Sequence, residues 1–320
     1  VAANLLAHRG IAVSEAMAFG LGGGLFFGYL PFIRITGLPL VTYRAAAGHI
    51  LKQIAAIPGV GMHQEKFRSQ DKAMAELDRA LADSIPVGLQ TGVFWLPYFP
   101  RALRFHFNAH NLVVYGKEGN DYLISDPVFP QPVRCPAEDL VRARFASGAL
   151  APKGKMYYLT RVPEGLEHGP LIVKGIRSVC QMMLDSPFPL IGVRGIRFLA
   201  KRLARWPQRL GRERADLHLG HVVRMQEEIG TGGGGFRFMY AAFLQEGAAL
   251  MQEPLLRDCA AALTTAGDTW REFAAMAARV CKERARPGDT CPAMAACISE
   301  CAAIEEKVFS ELRQWAKKHS

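Results

Sequence analysis

His110 stands just ahead of an apolar run, Leu112, Val113, Val114, Tyr115 and Gly116. Asp126, followed by Pro127, closes the next such run, which begins after Gly119, Asn120 and Asp121. Two adjacent strands are expected, the first carrying an imidazole and the second a carboxylate. In such a pair the carboxylate holds the ring in one tautomer, and the other ring nitrogen faces an incoming thiol or hydroxyl. These are two members of a nucleophilic triad. The third is missing, and residues 1–8 already read as the interior of a buried helix, so a segment is expected to have been cut away ahead of Val1.

Strand alternation sets His106, Asn108 and His110 on one side, so spacing alone does not choose between the imidazoles. His110 is preferred because it abuts the apolar strand, whose hydrogen bonds would fix its backbone. His106 lies in a polar and aromatic approach, between Phe105 and Phe107. Each residue also has a structural reading: a histidine beside an apolar strand is more often simply packed, and an aspartate before proline commonly ends a strand in a turn.

The elements that must position these groups are readable from periodicity. In the first half, Ser14 is expected to cap a short helix ending at Gly20, and residues 25–33 suit a strand. A helix is expected over 49–57, stopped by Pro58 and Gly59, and Ser69 is expected to cap another whose Met74, Leu77 and Leu81 share a stripe. Residues 87–95, 111–115, 122–124 and 156–159 then read as strands, with a helix over 137–145. Beyond Pro163 the period is almost entirely helical, with helices expected over 171–184, 193–203, 217–228, 236–251, 255–280 with some interruption, and 291–317. The fold class is therefore α+β with an antiparallel sheet, followed by an all-α domain, and the boundaries fall at 1–165 and 170–320.

At 320 residues, with half of them apolar, the chain can bury two cores. No apolar stretch approaches the roughly 18 residues of a membrane helix, so no membrane partner is expected. Seven cysteines without the density of a disulfide framework suit reduced thiols and a cytoplasmic location. Cys297 and Cys301 are one helical turn apart but have no histidine partner nearby, and no metal is expected. Gly20, Gly22, Gly23 and Gly24 lack the residues that complete a phosphate or dinucleotide fingerprint, so no cofactor is expected; a sharp turn letting backbone approach the active-site cleft fits better. The run from Gly230 to Gly235, which includes Thr231, ends one helix and opens another. An anion could meet its free amides, but a cap with tight helix packing is preferred.

Several motifs in order carry a resemblance: Leu5-Leu6-Ala7-His8-Arg9-Gly10-Ile11, Ser14-Glu15-Ala16-Met17, Gly20 to Leu25, and the segment from His110 to Asp126-Pro127. Together they resemble the amino-terminal domain of the butirosin biosynthesis protein H family, which is similar to papain-like cysteine enzymes. The glycine run with Phe236, Arg237, Met239 and Tyr240 resembles the helical domain that accompanies it. The resemblance implies His110 as base, Asp126 as the group that orients it, and a cysteine nucleophile a few residues before the segment at Ala3 to Leu6. That position precedes Val1, so residues 1–165 are expected to be an N-terminally truncated papain-like domain.

The implied activity is acyl transfer from a carrier-protein thioester to an amine of a small molecule, in specialised metabolite biosynthesis. An amidase or peptidase with water as acceptor is the alternative in the same fold, and a catalytically silent carrier-docking module is another. Gln90 is a weak candidate for the oxyanion donor. Arg194, Arg197, Lys201, Arg202, Arg205, Arg209, Arg212 and Arg214 face Glu213 alone among acidic neighbours between 194 and 214. Phe198 and Trp206 are the sole aromatics there, too few for base stacking, so an acidic acyl carrier protein rather than a nucleic acid is the expected partner.

Overall fold

A computed structural model of the chain describes every residue except Thr36, Ile229, Thr231 and Ser320. The elements begin with α1 (Ala2–His8), α2 (Glu15–Leu21), β1 (Leu25–Ile35), β2 (Leu38–Arg44) and α3 (His49–Ala55). There follow β3 (Gly61–Glu65), α4 (Gln70–Ala82), β4 (Val87–Thr91), β5 (His110–Glu118), β6 (Asp121–Ser125), β7 (Val133–Pro136), α5 (Ala137–Arg144) and β8 (Met156–Arg161). The rest is helical: α6 (His168–Leu184), α7 (Gly192–Leu203), α8 (Trp206–Leu210), α9 (Arg212–Glu227), α10 (Arg237–Met251), α11 (Pro254–Cys281) and α12 (Cys291–Lys318). No helix among the described residues is long and apolar enough to cross a membrane.

The fold is α+β, in two compact units. The first comprises Val1–Glu15 and Ile54–Leu166. Its six strands pair antiparallel in the order β3-β8-β4-β5-β6-β7. One face carries Leu89, Leu112, Val114, Ile124 and Met156, which close on Leu77 and Ala80 of α4 and on Leu140 and Ala143 of α5. Ser69 caps α4, its hydroxyl accepting from the Lys72 amide at 3.3 Å. Met74 and Leu81 flank the buried Leu77 at the edge of this core. Helix α1 buries Leu5 and Leu6 and is tied to the sheet by the Arg9 guanidinium, which donates to the Leu159 carbonyl at 2.7 Å.

Arg144 is wholly buried, and among the described residues it has no carboxylate partner. Its Nη1 donates to the Ala73 carbonyl at 2.8 Å and its Nη2 to the Gly154 carbonyl at 3.3 Å, stitching α4 and α5 to the turn before β8. Burial pulls this guanidinium down to about 10, against attraction from Tyr122 and Asp78.

The second unit comprises Ala16–Gln53 and Glu167–Ser320. The chain passes from one unit to the other after Leu166, and residues 16–53, assigned from sequence to the first domain, pack with the carboxy-terminal helices. This unit is therefore not all-α, because it contains the antiparallel hairpin β1-β2. The reason is the apolar face of that hairpin. Phe27 and Tyr43 stack on and against Trp270 of α11, at ring separations of 5.9 and 5.5 Å. Close backbone approach fixes α2 in the same unit: a Cβ on Gly175 of α6 would lie 2.4 Å from the Gly20 carbonyl oxygen.

Beside this aromatic cluster, Arg237 and Glu305 form a bidentate pair at 2.8 Å with neither side chain exposed. The Trp270 indole N–H donates to the same carboxylate at 2.8 Å. Removing one partner of a buried pair leaves an uncompensated charge. Glu305→Ala is therefore expected to lower stability by about 3–5 kcal/mol in urea unfolding, and Arg237→Met with Glu305→Leu by much less. A loss in the single variant no larger than in the double one contradicts this account.

Candidate active site

His110 opens β5, opposite Thr91, and Asp126 is the first residue past β6. The β5-β6 register, with Val114 opposite Ile124, puts His110, Leu112 and Asp126 on the same face. There the imidazole Nε2 and the Asp126 Oδ2 are 2.6 Å apart, with side-chain exposures of 11% and 0%. A carboxylate only accepts, so Nε2 carries the proton and the lone pair is at Nδ1. Among the described residues nothing hydrogen-bonds to Nδ1. The His110 ring also packs edge-on against Phe99, with centroids 5.5 Å apart.

The carboxylate is held from two further directions. The Tyr98 hydroxyl donates to Oδ2 at 2.8 Å, and the Val128 amide donates to Oδ1 at 2.9 Å. Burial by itself would raise the Asp126 carboxyl, but the bond and charge of His110, the Val128 amide and the Tyr98 hydroxyl outweigh it and hold it below its ordinary value. The same burial and the neighbouring carboxylate push the Tyr98 phenol far up, so it remains a donor throughout the working pH range.

The opening turn of α1 adjoins this strand end, because Asn4 Nδ2 donates to the Ser125 hydroxyl at 2.8 Å. Ser125 and Asp126 alternate, so α1 and the histidine–aspartate pair flank the end of β6 from its two sides.

Other residues singled out by type are committed elsewhere. His106 is exposed and stacks on Phe94 at 4.2 Å. Gln90 is not an oxyanion donor: its Nε2 donates to the carbonyls of Asn108 and Leu150, at 2.9 and 3.0 Å, which uses both amide hydrogens. Cys135, the one cysteine of the first unit, is buried, and burial pushes its thiol up to about 12, far from a reactive thiolate. Among the described residues no group of three or more His, Cys, Asp or Glu is placed to hold a metal.

The glycines have packing roles. Cβ atoms on Gly20, Gly22 and Gly24 would meet Phe243, Ile50 and Phe19 at 2.0, 2.6 and 2.4 Å, so these residues serve close packing inside the second unit rather than backbone approach to an active-site cleft. In the later run, Thr231 lies outside the described residues. The Gly234 amide already donates to Glu227 at 3.0 Å, and a Cβ on Gly235 would strike the Tyr43 ring at 2.3 Å, which leaves tight packing rather than an anion cradle.

The residue that sequence reasoning missed is Tyr98. Its signal was the segment Trp95-Leu96-Pro97-Tyr98-Phe99-Pro100, too aromatic and too rich in proline for an ordinary solvated loop. The expected strand over 87–95 stops at Thr91, and a 3-10 turn at Val93–Trp95 leads the chain toward Asp126.

An antiparallel α+β unit with a buried histidine–aspartate pair, joined to a largely helical unit, is the class of protein that this fold and site define. The family model described as Butirosin biosynthesis protein H, N-terminal, matches residues 1–127, and one described as Domain of unknown function (DUF4872) matches residues 138–312. The chain belongs to the butirosin biosynthesis protein H-like family that carries this domain of unknown function. No curated protein matches it.

Because the folded pKa of Asp126 lies below its unfolded value of about 3.9, its contribution to stability is complete above that value and is lost as acid takes the carboxyl through the lower one. The stability difference between the wild type and Asp126→Asn is thus expected to shrink below about pH 4. A difference that grows on acidification, measured by urea midpoints across pH, would contradict the assignment.

Proposed function

We propose that His110 and Asp126 are the base and the orienting carboxylate of a cysteine-dependent acyltransferase with a papain-like first unit. The nucleophile is a cysteine ahead of Val1, as the family resemblance implies. The observation that carries this reading is the 2.6 Å bond from Nε2 to a fully buried carboxylate, which leaves Nδ1 as the basic nitrogen. The Asn4 to Ser125 contact supports a thiol that comes round the end of β6 to that nitrogen.

In the first half-reaction His110 takes the thiol proton and the thiolate attacks the carbonyl carbon of a carrier-protein thioester. The new carbon–sulfur bond replaces the old one, and the carrier thiol leaves with the proton from the imidazolium. In the second, an amine of a small molecule attacks the acyl-enzyme, its proton passes to Nδ1, and the enzyme thiol is restored as the amide forms. Asp126 stabilises the imidazolium in both halves without itself taking the proton. On this reading the protein serves specialised metabolite biosynthesis.

The test uses the full-length protein with a thioester acyl donor. A cysteine within a few codons ahead of Val1 is expected, and it should form an acyl-enzyme detectable by mass spectrometry. His110→Ala is expected to slow acylation by about 10²–10⁴-fold, and Asp126→Asn to slow it with the fold unchanged. Undiminished acylation in the His110 variant would remove His110 from the mechanism.

The carrier would dock on the basic face of the second unit. Arg194, Lys201, Arg205, Arg209, Arg212 and Arg214 are exposed there. Arg197 is not available, since it pairs with Glu306 at 2.6 Å, and Arg202 lies over Phe198 with its Nε buried. Charge reversal at Arg205 and Arg209 is expected to weaken an acidic carrier protein at low salt, chiefly through its association rate. Unchanged association in both variants at low ionic strength rejects this surface.

A further inference from the structure

The first unit contains an open cleft of about 410 Å³ that the acyl-transfer chemistry leaves unexplained. Its walls include Phe94, Trp95, Arg101, Arg104, Asp139 and Arg142. The size lies within the range of about 300–1,000 Å³ that small-molecule sites occupy.

Two features give the cleft a chemical preference. Phe94 and Trp95 are each 37% exposed, unlike the rings of the core, and stand edge to face with centroids 5.1 Å apart. His106 stacks on Phe94 nearly parallel, which holds that ring in place. Large apolar rings left in contact with water at the wall of a cleft offer a planar group a surface on which to stack.

The second feature is charge. Arg142 is neutralised by Asp139 at 3.3 Å and Glu138 at 3.5 Å. Arg104 is turned inward, donating to the carbonyls of Phe99 and Pro97, so that it braces the wall. Arg101 is exposed, and among the described residues it has no carboxylate partner. A guanidinium with free donors beside stacked rings is suited to a carboxylate or phosphate.

We propose that this cleft binds a small organic anion with a planar body, its ring against Phe94 and Trp95 and its charged group on Arg101. The site lies on the same short segment that sends Tyr98 to Asp126 and Phe99 to His110. An occupant would therefore stiffen the segment that holds the candidate catalytic pair.

The experiment uses the chain as it stands and needs no turnover, so its outcome is separate from that of the acyl-transfer reading. The probes are 2-naphthoate and its uncharged analogue 2-naphthamide, titrated by calorimetry. In parallel, nitrogen–proton spectra follow the Trp95 indole, with the buried Trp206, Trp270 and Trp315 as internal controls. Saturable binding of naphthoate is expected, with a shift confined to the Trp95 signal. The amide is expected to bind at least about tenfold more weakly, and Arg101→Gln and Trp95→Ala each to lower naphthoate affinity by about tenfold or more. Both positions are exposed, and unchanged thermal melts are expected to show that the variants fold. Absence of saturable binding, equal affinity for acid and amide, or indifference to Arg101→Gln would each overturn the proposal.

Discussion

A carboxylate with no access to water must be met by donors at fixed positions, and in the first unit Asp126 imposes that requirement. Three separate pieces of chain answer it: the start of β5 with His110, the segment after Trp95 with Tyr98, and the turn at Val128. The first is anchored by sheet pairing and the third by the strand end, and the Tyr98 segment is held against that same turn by the packing of Phe99 on Phe129. The orientation of the imidazole is a consequence. With Nε2 taken by the carboxylate, Nδ1 alone is left as the basic nitrogen.

The sheet that supplies these anchors is not contiguous in sequence. Strands β3 and β4 are joined only through β8, which lies between them and follows β7 and α5 in the chain. The two family matches meet between residues 127 and 138, so β8 belongs to the second match while completing the sheet that carries the pair within the first. Conversely the hairpin β1-β2 falls in the first match and packs in the second unit. The two matched segments are thus one folding problem, since each leaves strands or apolar faces uncovered without residues from the other.

Charge burial is handled differently in the two units. Arg144 donates to backbone carbonyl oxygens, whereas Arg237 has a carboxylate and Glu305 in turn has the Trp270 indole. In both cases the guanidinium bridges elements far apart in sequence. This favours one arrangement of the elements, because separating them leaves a dehydrated guanidinium without its hydrogen-bond acceptors.

Much of this was written locally. Apolar runs marked β4, β5, β6 and β8, and the Ser69 cap and the long helical periods marked α4, α6 and α10 to α12. The strands β2, β3 and β7 are not legible locally, because they are short or carry Pro39 or Pro136, which argue against a strand when read alone. The residue types at 110 and 126 identified an imidazole and a carboxylate on neighbouring strands, since register is a local property of the turn between them. What the sequence by itself could not determine was the company that each face keeps: that residues 16–53 cover the later helices, that Gln90 turns to backbone carbonyls, and that Tyr98 reaches a carboxylate 28 residues further on. Hydrophobic periodicity says that a face is buried without naming what buries it, and a hydrogen bond between distant residues exists only once the whole chain has closed around it.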